Sequence, residues 1–150
     1  MELQKVILLD NIDSPAYIKA LTTFCLKRGI RLQSVKPEEY DVPLGFVAYG
    51  TEENKEEFIR KEPGKEFSEP MMVFSGFPGQ SLMELFKDLR IEGIGTTDLK
   101  AMMTENNAVW TSVALCEELK REHAAILAMQ EKKREEMKKK TKLSKISEEK

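Results

Sequence analysis

Along the first third of the chain the spacing of apolar residues changes from strand-like to helical and back, which predicts a strand, a helix and a second strand. Residues 5–10, KVILLD, form a continuous apolar run that is typical of a strand buried on both faces. Residues 14–29 repeat apolar positions at helical spacing, with Ser14 as a good cap and Gly29 suited to the residue after the last turn. Residues 30–35, IRLQSV, alternate as a half-buried strand does. The pattern predicts a βαβ unit.

A similar unit follows residue 70. Residues 71–77, MMVFSGF, are strand-like, and residues 98–103, DLKAMM, are strand-like again. Between them, residues 79–93 have helical spacing, with Ser81 and Glu84 at the spacing of a capping box and a glycine at the end. The chain therefore repeats the βαβ pattern.

The segments outside these units have weaker patterns. Residues 37–70 are rich in proline, glycine and acids, which predicts a long surface connection within a domain of residues 1–130. Residues 46–50, FVAYG, suit either a short helix or an extra strand. A last helix is expected from about Thr111, and residues 131–150 are predicted to be a charged tail, either a helical extension or disordered.

Two βαβ units with a long connection predict an α+β fold, a ferredoxin-like double βαβ sandwich with an added C-terminal helix. The alternative is a flavodoxin-like α/β domain of three layers, with FVAYG as a fifth strand and residues 52–61 as a crossover helix. We favour the first fold because Phe58 and Ile59 are the only apolar anchors in that segment, too few for a helix that must cover a parallel sheet.

Charge separates the body from the tail. The whole chain has a net charge of -2. Residues 131–150 contain nine Lys and Arg against five Asp and Glu, a net charge of +4, which leaves 15 against 21, a net charge of -6, for residues 1–130. Acids are interleaved in the tail and no aromatic residue is available there for base stacking, so the sequence disfavours nucleic-acid binding.

Other classes are disfavoured by what the chain contains. No stretch approaches the 18 or so apolar residues of a membrane helix, so we expect a cytoplasmic protein without a membrane partner. Cys25 and Cys116 lie far apart in apolar helical patterns and are expected to be buried thiols. His123 is the only histidine and lies inside a charged helix. We predict no catalytic residues, no metal and no cofactor.

The loop TENNAVWT, residues 104–111, is the most distinctive polar cluster. Its ordinary interpretation is a turn between strand and helix: Thr104 or Asn106 bonds the backbone, Asn107 takes left-handed geometry, Trp110 anchors the loop in the core and Thr111 caps the helix. A lysine beside the loop and the SGFPG turn at residues 75–79 allow a second interpretation, a site for a carboxylate or phosphate. The candidate ligand-binding residues are Lys100, Thr104, Asn107, Trp110, Gly76 and Gly79.

The same loop carries a family resemblance. The segments EPMMVFSGF, LKAMMTENNAVW and ELKREH resemble DUF3783, a family of small bacterial domains of unknown function marked by LKAxxTxxNxxW. The resemblance covers roughly residues 5–127, is strongest after residue 69 and excludes the tail. It implies a bacterial cytoplasmic setting and no particular activity. The matching positions are Leu99, Lys100, Ala101, Thr104, Asn107, Trp110, Glu118, Leu119, Glu122 and His123.

The leading functional hypothesis is a non-catalytic binding or regulatory module, because no pairing of acid with base or of nucleophile with base is visible. A sensor of a small anionic metabolite is the first alternative, and an enzyme of unrecognised type is the second. A protein partner is also open, and the sequence predicts no oligomeric state.

Overall fold

The computed structural model describes residues 4–50 and 67–148, with side chains as far as residue 142. Within these ranges the predicted strand, helix and strand order is confirmed in both units. Single turns of 3-10 helix occur at Pro37–Glu39 and Asn107–Val109. The strands are β1 (Val6–Asp10), β2 (Arg31–Ser34), β3 (Met71–Ser75) and β4 (Leu99–Met102), and the helices are α1 (Pro15–Lys27), α2 (Leu44–Tyr49), α3 (Gly79–Ile91) and α4 (Ser112–Glu148).

The strands form one mixed sheet in the order β2-β1-β3-β4. β1 pairs with β2 in parallel and β3 with β4 in parallel, while β1 and β3 are antiparallel neighbours with Ile7 opposite Phe74. The mixed α/β class with a C-terminal helix is as predicted. The ferredoxin-like topology is not confirmed, because there each βαβ unit is split by a strand of the other unit, whereas here the two strands of each unit are adjacent.

One face of the sheet is covered by α1 and α3. Alternate residues of the two central strands point to this face, Ile7 and Leu9 from β1 and Met72 and Phe74 from β3. They meet the apolar stripes of the two helices, and the ring of Phe74 makes edge contacts with those of Phe77 and Phe86 at centroid distances of 6.2 and 5.0 Å. The helix residues of this core are Leu21, Phe24 and Cys25 from α1 and Leu82, Leu85 and Leu89 from α3.

The other face is also covered, which explains why both central strands are buried along their whole length. On this side Tyr49 of α2 shares a hydrogen bond of 2.7 Å with Ser75, and Ser112 at the start of α4 faces Asp10. Residues 46–50 therefore supply helix rather than strand, and the fifth strand of the flavodoxin-like alternative is wrong. The crossover helix of that alternative, residues 52–61, lies outside the described residues.

The predictions for the two ends of α1 are confirmed. Ser14 accepts a hydrogen bond from Tyr17 N at 3.4 Å, and Gly29 has a φ of 67°, the left-handed conformation expected after α1. The predicted capping box in the second unit is wrong. α3 begins at Gly79, so Ser81 lies inside the helix and its hydroxyl donates to Pro78 O at 2.8 Å.

Two compact units divide the chain, Met1–Glu117 and Glu118–Lys150. The first contains the sheet and both of its covered faces. The described part of the second unit is the helical segment that continues α4, in which residues 120–142 are exposed. Cys25 and Cys116 are both buried thiols, as predicted.

Candidate functional site

The TENNAVWT loop is a self-bonded turn. Asn107 Oδ1 accepts from Thr104 N at 2.7 Å, Asn107 N donates to Thr104 Oγ1 at 3.2 Å, and Asn107 Nδ2 donates to Met102 O at 3.0 Å. Thr111 Oγ1 accepts from Ala114 N at 3.2 Å and so caps α4, as predicted. Asn107 begins a 3-10 turn, so the left-handed geometry that asparagine tolerates is not used here. The polar atoms of Thr104 and Asn107 are largely engaged within the turn.

Lys100 is directed away from that turn. Its Nζ donates to Thr97 O at 3.4 Å and lies 5.9 Å from the centre of the Phe86 ring, on the α3 side of the sheet. Thr97 precedes β4 and Thr104 follows it, and at about 3.3 Å per residue the Cα atoms of Lys100 and Thr104 are separated by roughly 13 Å. The structure therefore does not bring Lys100 together with Thr104 and Asn107.

The SGFPG turn does lie at the same sheet edge as the TENNAVWT loop. β3 and β4 are parallel, and Met103 N donates to Phe74 O at 2.7 Å, so both strands end there. Gly76 has a φ of 83°, a conformation that favours glycine. Gly79 is the first residue of α3, whose N-terminus has no side-chain cap. These two glycines, Thr104 and Asn107 thus share one edge of the sheet.

Trp110 is not a core anchor. Its side chain is 38% exposed, and the loop is fixed instead through its backbone, where Leu44 N donates to Trp110 O at 2.8 Å. The Ala108 carbonyl oxygen lies 3.3 Å from the position that a Cβ on Gly45 would occupy. A side chain at this position would make a contact tighter than most Cβ atoms make, so glycine favours the close approach of α2 to the loop.

Two open clefts that the sequence did not indicate lie at the carboxyl end of β1, which is at the end of the sheet opposite to the TENNAVWT loop. They lie on either side of residues 11–13, which follow β1 directly. The cleft beside α1 has a volume of about 310 Å³, and the cleft beside β2 has a volume of about 440 Å³. The α1 cleft is lined by Asp13, Ser14, Tyr17, Pro70, Thr96 and Thr97, and the β2 cleft by Asp13, Ser34, Val35, Tyr40, Phe67 and Ser68.

Asn11 holds the wall between the clefts in place. Its φ is 56°, the single positive value among the described non-glycine residues. Its Oδ1 accepts from Tyr40 Oη at 2.7 Å, and its Nδ2 donates to Glu69 O at 3.1 Å. Asparagine tolerates left-handed geometry better than most residues, so it can both turn the chain and tie together the segments before α2 and before β3. In the sequence, the asparagine directly after the buried strand is the signal for this turn.

Several polar side chains of the clefts make no hydrogen bond to other described residues. These are the Asp13 carboxylate and the hydroxyls of Ser34 and Thr96, whereas Ser14 and Thr97 bond to nearby backbone. Asp13 is the charged residue among the described lining residues of both clefts. The Tyr17 hydroxyl donates to Gly95 O at 2.9 Å, which fixes one side of the α1 cleft. The clefts thus offer hydroxyl and carboxylate groups on a fixed frame.

Asp10, the last residue of β1, is a buried acid beneath this end of the sheet. Its side chain is fully buried, and neither carboxyl oxygen has a hydrogen-bond partner among the described residues. Burial raises the pKa of this carboxyl, the nearby Ser112 hydroxyl lowers it and the buried Glu39 carboxyl raises it, and together these effects bring the pKa to about 7. The contact with Ser112 Oγ is too poor in geometry to satisfy either group. Asp10 faces the side of the sheet on which Ser112 lies, and it does not line the clefts.

Residues 70–126 match the family model described as a domain of unknown function, DUF3783. Over this range the chain is similar to the DUF3783 family. The match covers β3, α3, β4 and the first part of α4, and it confirms the resemblance to the family there, while residues 5–69 lie outside it. The matched range supplies Pro70, Thr96 and Thr97 to the α1 cleft, and the rest of that cleft precedes the matched range.

Neither a curated protein nor a solved structure matches the chain. None of the described helices combines the length and the apolar character needed to cross a membrane. In residues 4–50 and 67–148, no three His, Cys, Asp or Glu side chains are grouped so that they could hold a metal ion.

Proposed function

We propose that the protein is a non-catalytic binding module of the bacterial cytoplasm that holds a small molecule in the two clefts at the carboxyl end of β1. The observation that carries the proposal is the pair of adjoining clefts, whose lining includes polar side chains that make no hydrogen bond to other described residues. In open α/β sheets, ligands commonly bind outside the carboxyl ends of the strands, and this analogy adds support.

The walls of the clefts are rigid enough to bind without large rearrangement. Asn11 ties together three segments, and Tyr17 joins α1 to the loop after α3. A preorganised site avoids part of the entropy cost of ordering loops on binding. Volumes of about 310 and 440 Å³ lie within the usual range for small-molecule sites.

The chemistry of the lining indicates the ligand class. A ligand with hydroxyl or amine groups can donate to the Asp13 carboxylate and exchange hydrogen bonds with Ser34 and Thr96. Tyr40 and Phe67, whose ring centres are 4.6 Å apart, form an aromatic side of the β2 cleft. A polar, uncharged or cationic metabolite suits these groups better than an anion does, because the carboxylate repels negative charge.

A thermal-shift screen tests this function. The intact protein is heated with a panel of polyols, amines, nucleosides and anions, and a ligand at 100 times its dissociation constant should stabilise the fold by about 2.7 kcal/mol. The stabilisation should shrink in Asp13→Asn and Thr96→Ala. Glu84→Gln is the matched control, since it removes an exposed carboxylate from α3, away from both clefts. Turnover of a panel member would contradict the non-catalytic part of the proposal.

A sensor of a small anionic metabolite is the second candidate. The uncapped N-terminus of α3 and the backbone at Gly76 share a sheet edge with Thr104 and Asn107, and helix N-termini favour anions. Lys100 does not contribute a cation to this edge. Stabilisation by anions alone, unchanged in Asp13→Asn and Thr96→Ala, would support this site in place of the clefts.

A further inference from the structure

The second unit contains a strongly basic helical segment. Residues 132–142, KKREEMKKKTK, include seven Lys and Arg against two acids. The structure makes this whole segment part of α4, and every residue in it is exposed. The helix therefore presents these charges on a regular frame, which the sequence alone left undecided between helix and disorder.

Helical geometry separates the acids that the sequence interleaves. At about 100° per residue, Glu135 and Glu136 lie on one side of the helix together with Lys132 and Lys139. The opposite side forms a sector of about 140° that contains no acid within the segment. We call this sector the basic face; its residues are Lys133, Arg134, Met137, Lys138 and Thr141, with Lys140 at its border.

The composition of the basic face selects among partners. A membrane-surface helix needs a broad apolar side, and here Met137, 64% exposed, is the one large apolar residue. The centres of protein interfaces are depleted in charge and rely on apolar or aromatic anchors, which the face also lacks. Interfaces with nucleic acids are polar and strongly positive. The match in charge therefore favours a polyphosphate backbone.

We propose that the basic face of α4 binds the phosphate backbone of duplex DNA without sequence preference. A helix fits the major groove, and Lys and Arg neutralise phosphates and release the counterions condensed on the duplex. The face contains no asparagine or glutamine to read adenine and a single arginine, Arg134, so we expect it to supply phosphate contacts rather than sequence readout. This binding surface is separate from the clefts at β1 and does not depend on them.

The test compares two charge reversals of equal size on the full-length protein. Lys133→Glu with Lys138→Glu reverses two charges on the basic face, and Lys132→Glu with Lys139→Glu reverses two on the acidic side. All four residues are exposed, so both variants should fold, which circular dichroism can check. Binding of a fluorescent duplex of roughly 20 base pairs is measured by anisotropy between about 50 and 200 mM salt, the range in which counterion release changes affinity strongly.

The wild type is expected to bind with an affinity that falls linearly with salt on logarithmic axes. The basic-face variant should lose at least about tenfold in affinity, and its salt slope should become shallower by about 2, one for each lost phosphate contact. The control should lose less than about threefold, since its lysines face away from the duplex. Equal losses in the two variants, or no binding of the duplex by the wild type, would each overturn the proposal. Binding to anionic vesicles without binding to the duplex, measured on the same protein, would also overturn it.

Discussion

Replacing Asp10 by Asn is expected to remove a large pH dependence from the stability of the fold. The Asp10 carboxyl is fully buried, and among the described residues neither of its oxygens has a well-formed hydrogen bond, so the folded protein favours its protonated form. The pKa rises from the ordinary value of 3.8 to about 7 on folding. Asn has nearly the same shape and no charge, so it reproduces the protonated state at every pH.

The magnitude follows from the shift in the pKa. A difference of about three units corresponds to about 4 kcal/mol, at 1.36 kcal/mol for each unit. The sign is fixed because the folded chain binds the proton more tightly than the unfolded chain. The stability that the folded protein gains from binding this proton is complete below pH 4, decreases as the pH rises and is lost above pH 7. Roughly 3 kcal/mol of it should disappear between pH 5 and pH 8.

Urea unfolding followed by circular dichroism at pH 5, 6, 7 and 8 measures this effect. The free energy of unfolding of the wild type, less that of Asp10→Asn, should fall by about 3 kcal/mol over this range, and the variant should be the more stable protein at pH 8. Asp98→Asn is the control, because Asp98 is exposed and stays hydrated on folding. Parallel pH profiles for the wild type and Asp10→Asn would show that burial of this carboxyl does not govern the pH dependence.

Three further predictions concern the fold. Phe74→Ala should lower the free energy of unfolding by about 3 to 5 kcal/mol in urea, because a fully buried ring between two others is removed; a loss below about 1 kcal/mol would contradict the packing described. Asn11→Ala should destabilise the protein more than Asn11→Gly, by about 1 kcal/mol, since both lose the hydrogen bonds to Tyr40 and Glu69 but alanine also resists the left-handed backbone; the reverse order in urea melts would exclude that strain. Cys25 should react with a thiol reagent at pH 8 only after unfolding, because it is buried and burial raises its pKa to about 11; rapid labelling of the native protein would refute this.

Prediction from sequence succeeded where neighbours along the chain determine the structure. The apolar run of residues 5–10 gave β1, and Ser14 and Gly29 marked both ends of α1, because caps and left-handed turns depend on residues only a few positions apart. Thr104 and Asn107 were expected to form a turn and they do. The capping box at Ser81 failed, since the same spacing can occur one turn inside a helix.

The tertiary structure decided strand order, the clefts and the state of Asp10. A βαβ pattern does not reveal whether its strands are adjacent or split, because pairing depends on which edges meet after the long connection is closed. The clefts combine residues 11–13 with segments that lie far along the chain. The Lys100 side chain lies away from the predicted site, because its Nζ donates to Thr97 O at the other end of β4. The sequence by itself determined the elements and their buried faces, since these follow from local periodicity. Only packing between distant segments created the sites, since a cleft and a buried charge are properties of surfaces brought together by folding.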